Sequence, residues 1–349
     1  MDMERYFYSL ASDKSKGFIA GIIKVFLCAF SLVYGLAVRG LSFFCRISAQ
    51  RLNCKVISVG NITLGGTGKT SLVEVIARYL KQQGHKVAIL TRGYKRMHPA
   101  TMGDEPYMLE MNLKDIPVIV DADRIRSANR AIRDYGADTV IFDDGFQQWK
   151  IKKDLEIVTI DATNPFGNRQ MLPRGILRQP LSSLKRADLF VLTKTNLNAD
   201  VGVIKNTLNK LNPSGTIIES MHKPQGFYDM NKPQGLFNTE TLKGEAVTLF
   251  SGIGDPDSFE NLIAGLGIKI GLCFRFADHH NYTQEDLDKI IKSSKDNNID
   301  TIITTEKDAA RLYDLRLTTY DLRILVLRIE LAIKDEQGFY NRLLKLYSL

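Results

Sequence analysis

The residues with the clearest chemistry lie at 62–70, "ITLGGTGKT". Gly68-Lys69-Thr70 match the end of the phosphate-loop pattern G-x-x-x-x-G-K-[ST], and Thr63 stands where that pattern opens on glycine. Gly65, Gly66 and Gly68 allow backbone angles that turn amide hydrogens inward around an anion. A helix beginning at Lys69 would aim its N-terminus at the same anion. Lys69 supplies a point charge for β- and γ-phosphates, and Thr70 a hydroxyl for Mg²⁺. Thr63 fills the opening position if its backbone is ordinary extended chain. Thr63, Leu64, Gly65, Gly66, Thr67, Gly68, Lys69 and Thr70 are therefore the candidate nucleotide-binding residues.

Phosphoryl transfer needs more than a loop. "TVIFDDGFQ" runs three apolar residues into Asp143-Asp144, and two adjacent carboxylates at a strand end repel unless a cation is near. With Thr70 they are the candidate metal ligands. "MGDEPYML" (102–109) places Asp104 and Glu105 at the start of a helical pattern. They serve there as an N-cap and first-turn acid, or as a base for an attacking hydroxyl. "RFADHHNY" (275–282) sets His279 and His280 after a strand, where the pair could bind metal, cap a helix or orient a carboxylate. "TRGY" (91–94) ends another strand, with Arg92 able to face phosphate and Tyr94 a sugar or base. The stretch 168–188 carries Arg169, Arg174, Arg178, Lys185 and Arg186 with little acid; it suits an anionic group or a solvated loop.

The elements that must position these residues alternate along the chain. "KVISVG" (55–60), "KVAILTRGY" (86–94), "PVIVD" (117–121), "DTVIFDDGF" (138–146), "LEIVTID" (155–161), "DLFVLTK" (188–194) and "TIIES" (216–220) read as strands. Helical patterns fall between them at 69–83 and 122–135. Apolar runs of that kind, buried on both faces, predict a P-loop NTPase-like parallel sheet sandwiched by helices. A polar stretch over 221–245 suits a hairpin or linker. A second series, "AVTLFSGIG" (246–254), "IKIGLCFRF" (268–276), "DTIITTEKD" (300–308) and "RILVLRIEL" (323–331), predicts a smaller α/β lobe. The expected division is 1–45, an N-terminal hydrophobic helix; 46–220, the P-loop domain; 221–245, the linker; and 246–349, the second lobe.

"FIAGIIKVFLCAFSLVYGLAV" (18–38) holds one charge, Lys24. As a helix it is roughly 30 Å long, enough to cross a bilayer. Lys24 would be costly near the middle of a span, and basic residues flank both sides, which suits a helix in the interface of an anionic membrane. A buried core helix is the remaining reading. A signal peptide is not expected, since no small-residue cleavage site follows. The net charge of +8 favours an anionic partner or simply a soluble surface. The four cysteines match neither a zinc pattern nor a disulfide framework.

Taken together the motifs resemble the tetraacyldisaccharide 4′-kinase family, which phosphorylates a lipid A precursor. The pieces that carry the resemblance are "SVGNITLGGTGKT", "TRGY", "GDEPYML", "DDGFQ", "LPRGILRQPLSSLKRAD", "LFSGIGDPDSF", "FADHHNY" and "TTEKDAARL", spanning about Lys55 to Leu312. The resemblance implies a two-lobed kinase that uses ATP and Mg²⁺ at the cytoplasmic face of the inner membrane of a Gram-negative bacterium, held peripherally or by its N-terminus. It implies that Thr63 is normal at its position, and that Asp104 accepts the sugar hydroxyl's proton. His279 would pair with Asp104 across the lobe cleft, although His280 follows directly. Asp143 and Asp144 would serve Mg²⁺ and the phosphates; Arg92, Tyr94, Arg174 and Arg178 would face the substrate, a tetraacylated disaccharide 1-phosphate. One position departs: Gln179 stands where the family usually has glutamate, and an amide cannot supply charge to a metal.

Other classes fit less of the chain. "LTKTN" (192–196) approaches the guanine-reading N/T-K-x-D signature but has Asn196 in place of its aspartate. A "DHH" phosphoesterase would need further Asp and His clusters. A nucleic-acid binder would leave the P-loop and the apolar N-terminus unexplained, so no nucleic-acid partner is expected.

Overall fold

The computed structural model describes residues 10–11, 13, 15–92, 103–197, 200–312 and 322–348. In chain order the elements are α1 (Phe18–Ile47), β1 (Lys55–Gly60), α2 (Lys69–Gln82), β2 (Val87–Thr91), α3 (Asp104–Asn112), β3 (Val118–Val120), α4 (Arg124–Tyr135), β4 (Thr139–Asp143), β5 (Leu155–Asp161), β6 (Leu189–Thr193), α5 (Val201–Leu211), β7 (Thr216–Asp229), β8 (Lys232–Phe237), β9 (Ala246–Ser251), α6 (Pro256–Gly265), β10 (Lys269–Arg275), α7 (Gln284–Asp296), β11 (Thr301–Thr305), α8 (Glu306–Arg311), β12 (Arg323–Ile333) and α9 (Glu336–Leu344). Two compact units emerge: Met1–Arg92, Leu113–Met221 and Ala332–Leu349 in the first, Gly93–Asn112 and His222–Leu331 in the second. The sequence reading kept 46–220 as one piece. The structure groups Gly93–Asn112 with the second unit instead, because α3 packs against α8.

In the first unit the strands run in the order β7-β6-β5-β1-β4-β2-β3 and pair in parallel. β1, β2, β4, β5 and β6 are almost wholly buried, as continuous apolar runs require when helices cover both faces. α2 buries Leu72, Val73, Ile76, Ala77 and Leu80, a single stripe at helical spacing. α4 starts from Asp123, whose carboxylate accepts from the amides of Ile125 and Arg126, and ends on Gly136 in the left-handed conformation.

In the second unit β10-β9-β11-β12 pair in parallel. The polar stretch after Met221 forms the far half of β7 and β8, an antiparallel hairpin. Two apolar clusters, one around Phe227, Leu249 and Leu325 and one around Phe250, Tyr282 and Ile324, form its core.

α1 is not a core helix. Only 11% of its most apolar window is buried, and Phe18, Val25, Phe26, Phe30, Val33, Leu36, Phe43 and Phe44 are exposed. A few residues tie it to the first unit. Ser31 Oγ donates to the carbonyl of Met171 (2.8 Å) and Tyr34 to that of Arg178 (3.2 Å). Lys24 is neutralised by Asp13 at 2.8 Å.

Candidate active site

The phosphate loop sits at the C-terminal end of β1. Thr63 forms an antiparallel bridge with Leu177, flanked by Leu64 N–H to the Ile176 carbonyl (2.8 Å) and Arg178 N–H to the Ile62 carbonyl (2.7 Å). Its backbone is therefore extended, which threonine adopts without strain, so glycine is not needed there. Gly65 (φ 105°) and Gly68 (φ 76°) take the left-handed region. Gly68 is the N-cap of α2, and no side chain among the described residues caps that helix, so its first amides remain to donate to an anion. Thr67 is buried and its hydroxyl meets that of Thr159 at 2.7 Å, pinning the loop to β5.

β4 lies beside β1 with Val59 opposite Asp143, which brings the acid pair to the loop. The turn after it needs its glycine. A Cβ on Gly145 would lie 2.6 Å from Ser58 Oγ, and one on Gly60 would lie 2.5 Å from Phe146 Cβ. Asp143 is buried. Asp144 is half-buried at φ 56°. Arg178 grips it with both nitrogens (2.9 and 3.0 Å), and Lys69 Nζ stands 3.8 Å away. Burial would raise the Asp144 carboxyl, but the Lys69 charge and the Arg178 fork outweigh it and hold the group below the usual carboxylate range.

Arg124 was not singled out from sequence. It opens α4, is 2% exposed, and donates to the Asp143 carbonyl at 2.9 Å. Its Nε and Nη1 are buried with no hydrogen-bond partner among the described residues. Burial pulls its pKa down to about 10 despite the nearby Asp143 and Asp144. The signal in sequence was an arginine at the first turn of a helix after a strand, too common to weigh alone. Arg92 follows β2 and is exposed; Tyr94 lies outside the described residues. Arg174 binds Asp13 (2.6 Å) and the Leu10 carbonyl (3.2 Å), so in this structure its charge is committed to the N-terminal segment. Gln179 is 1% exposed and accepts from Arg186 at 3.0 Å.

A second constellation lies wholly in the second unit. Asp104 begins α3, and its Oδ2 accepts from Arg311 Nε at 2.6 Å and lies 3.3 Å from His279 Nδ1. His279 is therefore the histidine beside Asp104. His280 turns to Asp286 (3.0 Å) in the capping box of α7 and stacks on Phe276. Both lobes were expected to contribute to the Asp104–His279 pair; both residues come from one unit. His279 adopts φ 59°, with its amide bonded to the Gly252 carbonyl (3.1 Å). Left-handed backbone at Asp144 and at His279 is the kind of local strain that functional sites retain. Burial would raise the Asp104 carboxyl, but hydrogen bonds from His279 and Arg311, with the Arg311 charge, hold it below the usual range. Lys307, also on α8, pairs with Glu105 at 2.8 Å.

A parallel sheet with a phosphate loop at the end of its first strand and an acid pair on the neighbouring strand defines an ATP-binding P-loop fold. The family model described as tetraacyldisaccharide-1-P 4′-kinase matches residues 23–348. A tetraacyldisaccharide 4′-kinase of Elusimicrobium minutum is 37% identical over 310 residues, 82% of this chain and 81% of that one. That of Syntrophus aciditrophicus is 34% identical over 345 residues, 91% of each. The crystal structure of "apo" form LpxK from Aquifex aeolicus in complex with ATP matches with a TM-score of 0.72 at 25% identity, covering 93% of this chain and 100% of that one. The chain belongs to the tetraacyldisaccharide 4′-kinase family.

Proposed function

We propose that this chain transfers the γ-phosphate of ATP to the 4′-hydroxyl of a tetraacylated glucosamine disaccharide 1-phosphate, a step in lipid A biosynthesis. The observation that carries the reading is Lys69 at the uncapped start of α2, in a chain matched almost end to end by a family of that name. The amides of Gly65–Thr70 wrap the phosphates and Lys69 follows the γ-group. The 3.8 Å spacing from Asp144 is long for an ion pair, which leaves the lysine able to turn to phosphate.

Magnesium is implied by the family, and the residues fit it. The oxygen donors Thr70 and Asp143 match a hard cation that takes one or two protein oxygens and leaves the rest to water and phosphate. Thr70 and Asp143 would hold it, and the ion would neutralise the β- and γ-oxygens. Asp144, already committed to Arg178, orients that cation and lies loosely beside Lys69. Arg124, with two buried N–H groups to offer, adds positive charge close to the same acids.

Asp104 accepts the proton of the sugar hydroxyl. A depressed pKa weakens it as a base, yet the loose transition state of phosphoryl transfer asks mainly for orientation and a carboxylate that is always charged. The apolar face of α1 lies in the interfacial zone of the membrane, beside the acyl chains of the substrate, with exposed Arg39 and Arg46 toward anionic headgroups. In this reading the enzyme works at the cytoplasmic face of the inner membrane, where ATP is available. Incubation with γ-labelled ATP and a tetraacylated disaccharide 1-phosphate tests the reading; clear preference for GTP, or hydrolysis without transfer, would overturn it.

A further inference from the structure

We propose that Arg311 is a positioning residue: it fixes which oxygen of Asp104 faces the acceptor hydroxyl, and it competes with Asp104 for Nδ1 of His279. The inference rests on Asp104 being the proton acceptor.

Arg311 ends α8 with a side chain 2% exposed. Each nitrogen has a direction. Nη1 donates to the Gly252 carbonyl (2.7 Å) and to Asp308 Oδ1 (3.0 Å). Asp308 is fully buried and held by the Thr305 hydroxyl (2.6 Å), the Tyr282 hydroxyl (2.9 Å) and the Gly252 amide (3.0 Å). The planar guanidinium is thus clamped on one side, which aims Nε and Nη2 on the other. Nε and His279 Nδ1 both address Oδ2 of Asp104. Oδ1 takes no hydrogen bond among the described residues, and it is the oxygen left for a hydroxyl.

His279 Nδ1 is 3.3 Å from Asp104 Oδ2 and 3.3 Å from Arg311 Nη2. A neutral imidazole nitrogen either donates or accepts. With a proton, Nδ1 donates to Asp104; without one, it accepts from Arg311. The two partners exclude each other, so the arginine keeps the histidine from being captured by the carboxylate. Removing Arg311 leaves Nδ1 one partner, the carboxylate, so Nδ1 keeps its proton to donate there, and Asp104, without the Arg311 charge, holds a proton more tightly. Among the described residues, the other charged groups that touch this cluster are Glu105, which pairs with Lys307, Asp308, which holds Arg311, and Asp278, 4.0 Å from His279 Nε2. Lys307 is engaged by Glu105 and Asp308 by its own donors; among the described residues Arg311 and His279 are the groups that act most strongly on Asp104.

The test compares full-length wild type, R311K and R311M. It measures kcat and KM for ATP and lipid acceptor against pH, and ¹⁵N NMR reports which ring nitrogen of His279 carries the proton. In R311M we expect kcat to fall about 10²-fold, the loss typical of a misplaced reacting group. The acid limb of kcat should rise by about 1–3 pH units, and His279 should shift toward the tautomer with its proton on Nδ1. KM for ATP stays within about twofold, because the nucleotide residues lie elsewhere. R311K recovers part of kcat and moves the acid limb and the His279 tautomer back toward wild type. Should R311M fail to fold, R311K and Y282F, which loosens the clamp on Asp308, carry the test through smaller shifts in the same direction. An acid limb and a His279 tautomer unchanged in all folded variants would overturn the proposal. D104N separates the two claims: full transfer by D104N would remove Asp104 as acceptor whatever Arg311 does.

Discussion

The two constellations hold their carboxylates in contrasting ways. Asp144 is half-exposed and gripped by Arg178 through both oxygens, with Lys69 loosely beside it. Asp104 is more buried and, among the described residues, engaged through one oxygen only, by Arg311 and His279. Both pKa values are lowered, but the geometry differs in purpose. A carboxylate bonded to a cation through both oxygens orients that cation, whereas one with an open oxygen can accept a proton. The difference teaches that a lowered pKa does not by itself mark a structural ion pair.

Substitutions can break that contrast. The largest effect is expected at the open carboxylate: D104N should cut kcat by about 10²–10⁴-fold while ATP binding persists. Equilibrium binding of labelled ATP checks it, and loss of binding would move Asp104 to the nucleotide. K69A should come next, with transfer down about 10²–10³-fold and, unlike D104N, weaker ATP binding in the same assay. R124A should lower kcat by about 10-fold or more if its buried N–H groups add to charge stabilisation; steady-state kinetics with unchanged melting temperature would show this.

R178A is predicted to act mainly on stability. The folded-state pKa of Asp144 lies below its unfolded value, so the pair stabilises the protein fully above the ordinary carboxylate pKa. That contribution fades as pH falls toward and through the lower folded value. Asp144 is over a third exposed, so screening limits the loss to about 1 kcal/mol, a few degrees in melting temperature near neutral pH and less at acid pH. Thermal melts at two pH values measure it. The smallest effect on chemistry should come from F26D/F30D on α1, which should lower sedimentation with anionic vesicles yet leave turnover on detergent-dispersed substrate near wild type.

Legibility in the sequence followed the same divide. The phosphate loop works through contiguous backbone, so GGTGKT after an apolar run was enough to read it, and the strands of the first unit follow the apolar runs closely. The extended backbone of Thr63 was also legible as a condition, although its pairing with Leu177 was not. Asp104, His279 and Arg311 come from three distant segments that only the packing of α3 against α8 and the turn at His279 bring together. Spacing along the chain cannot report such contacts, and Arg311 and Lys307 went unremarked within "TTEKDAARL". The commitment of Arg174 to Asp13 was hidden for the same reason, since it joins residues 161 positions apart.

The most direct measurement is positional: ³¹P and ¹H NMR of the product formed from ATP and the tetraacylated disaccharide 1-phosphate. A new monoester on the 4′-oxygen, absent with D104N and K69A, is the result expected. Phosphate on any other oxygen, or free phosphate with the sugar unchanged, would contradict the account.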